Sequence, residues 1–124
     1  MKQVSIVIPV YNAAESLPIL LERLSRLRDQ IQCIEEVILV NDGSRDESWS
    51  VIRELHGLYP WVQGFNLMRN YGQHNALLSG IRAARGEIVV TMDDDLQNPP
   101  EEIPRLLAKL EEGYDVVYGA PEKE

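Results

Sequence analysis

The sequence predicts a single α/β domain over residues 1–124, a mostly parallel sheet with helices on both faces. Three observations predict it. Short apolar runs alternate with helical patterns along the chain, the polar clusters collect at the carboxyl ends of those runs, and no repeat or low-complexity linker interrupts the order. Val4 to Val10 reads as the first strand. Leu17, Leu20, Leu21, Leu24 and Leu27 then share one helical face. Glu36 to Val40 reads as a second strand, followed by a helix facing inward with Trp49, Ile52 and Leu55. Val62 to Leu67 is a weaker third strand, and Leu77, Ile81 and Ala84 mark the next helix. Glu87 to Met92 is the fourth strand, Ile103, Leu106, Leu107 and Leu110 the fourth helix, and Asp115 to Tyr118 a fifth strand. Such a βα alternation implies parallel pairing through right-handed crossovers. Capping signals mark three helix starts: Asn12 with Glu15, Ser44 with Glu47, and Asn98 with Pro99, Pro100 and Glu101.

Composition narrows the function. The 124 residues are 44% hydrophobic and 26% charged, enough to bury one core. A formal net charge of −8 with no basic patch argues against nucleic acid as a partner. Cys33 is the only cysteine, so no internal disulfide forms, and its apolar setting predicts a buried thiol compatible with a reducing compartment. No signal-peptide pattern follows Met1, and no run approaches the roughly 20 apolar residues of a membrane span. A soluble, cytoplasmic chain is the expectation.

The densest chemical signal is Met92 to Glu101, in which Asp93, Asp94 and Asp95 follow an apolar run directly. Helix capping accounts for Asn98 to Glu101 but not for the three acids upstream, where like charges crowd without structural gain. A divalent cation would relieve that repulsion, and Mg²⁺ or Mn²⁺ suits oxygen ligands that leave positions open for substrate phosphates. In open α/β sheets the ligand crevice lies at the carboxyl ends of the strands. Pro9-Val10-Tyr11-Asn12, Asn41-Asp42-Gly43-Ser44, Arg69-Asn70-Tyr71-Gly72-Gln73 and the acidic triplet all fall there. The glycine fingerprints of dinucleotide and P-loop sites are absent.

The strings IVIPVYN, VNDGSRDES, RNYGQHNALLSGI and MDDDLQNPPEEIPRLLAKLEEGYDVV resemble the amino-terminal half of family 2 glycosyltransferases, whose fold is the Rossmann-like GT-A type. The nearest likeness is to polyprenyl-phosphate sugar transferases of the undecaprenyl-phosphate and dolichol-phosphate mannose synthase kind. The resemblance implies that Pro9, Tyr11, Asp42 and Gly43 frame the nucleotide, with Asp42 accepting a hydrogen bond from the base. Arg69 and Asn70 match a segment near the nucleotide pocket, although Arg69 could equally be a structural cation paired with a carboxylate. Asp93 and Asp95 match the outer acids of the D-x-D motif and, with Gln97, the metal ligands; Asp93 and Asp95 are thereby the catalytic candidates. Asp94 is counted with the nucleotide-sugar-binding residues, but strand alternation turns its carboxylate away from its neighbours if the backbone stays extended. Glu15 is read as a capping residue, and His56 and His74 as structural.

The reaction implied is inverting transfer of a sugar from a nucleoside diphosphate sugar, UDP in preference to GDP, to a polyprenyl phosphate in cell-envelope biosynthesis. Relatives of this kind continue past Gly119 into acceptor-binding and membrane segments. The chain is therefore expected to be the donor- and metal-binding half of a larger enzyme at the cytoplasmic face of the membrane, poorly active alone, with an oligomer allowed. Other readings stay open on the residues: a non-catalytic nucleotide-sugar-binding module, a family 2 transferase with a saccharide acceptor, a receiver domain, whose paired acids would follow the first strand, and a glycoside hydrolase, whose two carboxylates would flank the bond.

Overall fold

The computed structural model describes residues 2–96 and 99–111. Strand β1 spans Val4–Val10, β2 Ile34–Asp42, β3 Val62–Leu67 and β4 Ile88–Thr91, and all pair in parallel in the order β3-β2-β1-β4. Every residue of β1 is buried, because this strand is covered on both faces and flanked on both edges. A continuous apolar run without alternation is the sequence mark of such a strand. The structure lengthens the second strand at both ends and trims the fourth to four residues.

Helices α1 (Leu17–Ile31) and α2 (Ser48–Leu58) cover one face. Leu17, Leu20, Leu21, Leu24 and Leu27 of α1, with Ile52 and Leu55 of α2, pack on Val4, Ile6, Ile8, Val10 and Leu39. Each fully buried leucine contributes about 1.5–3 kcal/mol relative to exposure. Cys33 lies in the same core as a free thiol. A 3₁₀ turn over Pro100–Glu102 leads into α4 (Ile103–Glu111), which anchors through Ile103, and the turn is tied to α1 by an ion pair between Glu101 and Arg23.

Helix α3 (Gln73–Ala83) covers the other face, and here one of the three expected inward residues is corrected. Its buried residues are Ala76 and Gly80, Leu77 and Ala84 pack partly buried against the same cluster as expected, and Ile81 is 41% exposed. A Cβ on Gly80 would stand 2.4 Å from Cγ1 of Val7, so the helix sits too close to β1 for a bulky side chain. Periodicity counts large apolar residues and overlooks a contact made of small ones.

Two predicted caps are also corrected. Helix α1 begins at Leu17 after Ser16, not at Asn12, and Glu15 makes no capping bond among the described residues; Asn12 instead takes a left-handed φ of 51°. Helix α2 follows Glu47, and the Ser44 hydroxyl bonds elsewhere. The predicted strand at Asp115–Tyr118, Asn98 as a cap and Gln97 as a ligand lie outside the described residues.

At the amino-terminal end of the sheet, Glu36 is 1% exposed yet fully occupied. It accepts from the Ser5 hydroxyl (2.7 Å), the Arg85 backbone N–H (2.7 Å) and Arg85 Nε (3.4 Å), while Ser5 accepts from the Gly86 N–H. This fastens the α3–β4 connection to β1 and β2, which aims β4 and the acids beyond it. His56 bonds through Nδ1 to the Val62 carbonyl oxygen, a structural part as expected, and His74 stands exposed in the first turn of α3.

Candidate functional site

The carboxyl ends of β1, β2 and β4 and the first residue of α3 enclose a cavity of about 220 Å³ lined by Pro9, Val10, Tyr11, Asp42, Gln73, Asp93, Asp94 and Asp95. Four of these carry carboxylates and none is cationic. Each strand delivers its contribution where the ladder ends and backbone groups become available.

Asp42 closes β2 with 3% exposure, and its Oδ1 accepts the Tyr71 backbone N–H at 2.8 Å. The next residue, Gly43, has φ 68°, and a Cβ there would fall 2.3 Å from the Asn70 nitrogen. Only glycine lets the 69–71 loop close against β2. Asn70 turns inward on its own loop, its Oδ1 accepting the Gly72 N–H at 2.9 Å. Arg69 places its guanidinium 5.0 Å from the centre of the Tyr71 ring and makes no ion pair among the described residues. Of the two readings of Arg69, the described residues supply no carboxylate partner for the structural one.

The β1–α1 and β2–α2 loops clasp each other. Asn12 Oδ1 accepts the N–H of Arg45 (2.7 Å) and of Asp46 (3.4 Å), the Asn12 N–H donates to Ser44 Oγ (3.0 Å), and the Ser44 hydroxyl donates to Asn41 Oδ1 (2.5 Å). In return Asp46 accepts the Ala14 N–H, and Ser48 Oγ accepts the Ala13 N–H. Burial raises the Asp46 pKa, but the hydrogen bonds from Ser48 and Ala14 outweigh it and hold the carboxyl below its ordinary value. The sequence had offered Asn12 and Ser44 as helix caps; they join two loops instead.

Beyond β4 the chain does not stay extended: it bends over residues 94–96, and Leu96 has φ 66°. The expectation that Asp94 turns away fails with its premise. Asp94 lines the cavity, its Oδ2 accepting the Tyr11 backbone N–H at 2.8 Å and its carbonyl oxygen accepting the Ser16 hydroxyl at 2.6 Å. Burial, together with the negative neighbours Asp95 and Asp93, pushes the Asp94 carboxyl up against the opposing pull of the Tyr11 amide. Asp93 accepts from the Gln73 side-chain amide at 3.0 Å. In the sequence Gln73 stands out only as the end of the third polar cluster and Ser16 not at all: an amide and a hydroxyl carry no motif, and their partners are 20 and 78 residues away.

A raised carboxyl pKa opposes folding at neutral pH. The folded state binds the proton more tightly than the unfolded chain, so stability falls as pH rises from the usual carboxylate range through the folded value. Asp94→Asn removes that charge and keeps an oxygen for the Tyr11 N–H. Thermal unfolding should show the variant a few degrees more stable than the parent at pH 7, with the gap closing toward pH 4; an unchanged or lower midpoint at pH 7 would contradict the repulsion.

The sequence profile described as glycosyl transferase family 2 matches residues 5–124. The chain belongs to this family. Among characterised members, the undecaprenyl-phosphate 4-deoxy-4-formamido-L-arabinose transferase of Proteus mirabilis is 53% identical over 116 residues, which cover 93% of this chain and 36% of that protein. The enzyme of the same name from Shewanella sediminis is also 53% identical over 116 residues, covering 92% of the chain and 35% of its own length. The chain thus spans about a third of the length of the curated relatives it matches. Among solved structures, S. aureus TarS 1–349 superposes with a TM-score of 0.73 at 22% identity over 97% of this chain and 38% of that one. A Pyrobaculum calidifontis mannosyltransferase in complex with GDP-Man and Mn²⁺ superposes with a TM-score of 0.61 at 27% identity over 76% of the chain and 28% of its own. These likenesses agree with the parallel sheet and the GT-A fold of a family 2 transferase.

Within that family assignment, the donor set of this chain fits a divalent cation. Two of the four cavity carboxylates, Asp42 and Asp94, are engaged by backbone amides, and Asp93 and Asp95 border the same space. Among the described residues no three acidic, histidine or cysteine side chains converge as a ready cage. Cations of the Mg²⁺ kind are commonly held by one or two carboxylates with substrate phosphates completing the shell.

Proposed function

We propose that this family 2 glycosyltransferase chain is the donor-binding half of an enzyme that transfers a sugar, with inversion, from a nucleoside diphosphate to a polyprenyl phosphate at the cytoplasmic face of the membrane. The observation that carries the proposal is one cavity bordered by four carboxylates and no cation. A nucleoside diphosphate alone would be repelled from such a cavity, whereas a diphosphate arriving with a divalent cation would be attracted. Asp93 and Asp95, with Gln97, would hold Mg²⁺ or Mn²⁺, which when bound supplies positive charge to a diphosphate leaving group.

The protein's own groups take the remaining parts. Pro9 and Tyr11 flank the nucleotide, Asp42 accepts from the base with the oxygen that Tyr71 does not engage, and Gly43, Arg69 and Asn70 shape the wall beside it. A phosphate monoester acceptor has a second pKa of about 6 and is already largely dianionic at neutral pH. Attack on the anomeric carbon therefore requires no strong base from the chain. At 53% identity to the Proteus mirabilis enzyme, the sugar we favour is 4-deoxy-4-formamido-L-arabinose, carried by UDP in preference to GDP. No helix among the described residues is long and apolar enough to cross a membrane.

Isothermal titration of the chain with UDP and with GDP, each with and without Mn²⁺, tests the proposal. Binding of UDP only in the presence of the metal is expected. Equal binding with and without metal would overturn the metal-dependent reading, and tighter binding of GDP would replace the base.

A further inference from the structure

The three consecutive acids differ in what holds them. Asp94 is fixed at two points by one loop: its side chain accepts the Tyr11 N–H at 2.8 Å and its backbone carbonyl accepts the Ser16 hydroxyl at 2.6 Å. Ser16 occupies the N-cap of α1 yet makes no capping bond with its side chain. The Leu17 N–H reaches the Ala13 carbonyl, and Pro18 has no N–H to satisfy. The hydroxyl proton bridges 78 residues to the acidic loop, with a longer 3.3 Å contact to the Ala13 carbonyl competing for it.

We propose that Asp94 and Ser16 are positioning residues: they fasten the middle of the acidic loop to the β1–α1 loop, so that the carboxylates of Asp93 and Asp95 on either side are presented to the cation and diphosphate. The inference rests on the donor-binding reading above and refines it by removing Asp94 from the groups that touch the ligand. The β1–α1 loop is in turn clasped to β2–α2 through Asn12, Ser44, Asp46 and Ser48. The nucleotide wall and the acidic loop consequently form one connected frame. Without the two anchors the acidic loop, already bent at Leu96, would lose its ties to the β1–α1 loop and keep the Gln73 amide on Asp93.

The test compares Asp94→Asn, Asp94→Ala, Ser16→Ala and Ser16→Thr in the full chain by titration with Mn²⁺ and UDP, alongside amide hydrogen exchange at Tyr11. An anchoring oxygen is kept in Asp94→Asn, so its affinity should stay within about threefold of the parent. Asp94→Ala and Ser16→Ala should each weaken binding about tenfold, the range of an outer-shell contact to a ligand site. Ser16→Thr, which keeps the hydroxyl, should restore it. The Tyr11 amide should be protected in the parent and in Asp94→Asn and exchange faster in Asp94→Ala. Loss of binding in Asp94→Asn as large as in Asp95→Asn would make Asp94 a ligand and overturn the inference. So would an unprotected Tyr11 amide in the parent, whether or not nucleotide binds. If the parent binds no nucleotide while exchange follows the expected order, the donor-binding reading fails and the anchoring stands.

Discussion

Asp95→Ala and Asp93→Ala are each expected to abolish metal-dependent nucleotide binding, weakening it by about 100-fold or more, because removing a group that merely orients a metal ligand already costs about 10–100-fold. The prediction depends on position and not on total charge. The chain carries a formal net charge of −8, so loss of one acid changes the overall field little. Asp29→Ala, on the exposed side of α1, makes the same change in net charge and should leave binding within twofold. The variants should fold, because removing either acid eases the like-charge crowding that, after burial, pushes the Asp94 carboxyl up. A parent-like titration curve for both variants would show that the cavity carboxylates do not hold the cation.

The sheet was legible because its signals are local. The β1 and β3 limits follow directly from runs of β-forming residues, and the five leucines of α1 face inward as their spacing requires. The Ala76–Gly80 face of α3 was not legible, since close approach of a helix to a strand is recorded by the absence of side chains. At the site, the strand-end rule and the family likeness brought Pro9, Tyr11, Asp42 and the acidic triplet into one cavity. The sequence could not tell which polar residues serve the site and which connect its loops. Asn12, Ser44 and Ser16 have capping chemistry, and only the fold shows their partners lying 32, 33 and 78 residues away on other loops. The direction of Asp94 was misread for a related reason. Alternation holds while a strand is hydrogen-bonded on its ladder, and β4 leaves its ladder at Thr91, before the acids begin.

Gly43→Ala is the substitution expected to damage both stability and binding most among changes that leave every charge in place. Its backbone is left-handed, φ 68°, which costs a residue with a Cβ roughly 1–2 kcal/mol. The new methyl group would also stand 2.3 Å from the Asn70 nitrogen and 2.6 Å from the Arg69 carbonyl carbon, backbone atoms that no rotamer change can move aside. Overpacking of this kind costs about 1–3 kcal/mol. Together the two effects suggest a loss of about 2–5 kcal/mol, or a fall in unfolding midpoint of about 5–20 °C for a chain of this size. Relief can come only by displacing the 69–71 loop, which pulls the Tyr71 N–H from Asp42 and frees the carboxylate proposed to read the base. Nucleotide affinity should therefore fall with stability, even at temperatures where the variant remains folded. Gly57→Ala supplies the opposite sign: that position lies within α2 with open space where the methyl would go, and the better helix former should add about 0.5–1 kcal/mol with binding unchanged. Thermal unfolding and nucleotide titration of the two variants side by side decide the matter. Gly43→Ala with a parent-like midpoint would mean that the contact between the β2–α2 turn and the 69–71 loop can relax without cost, and that Asp42 is held by something other than that contact.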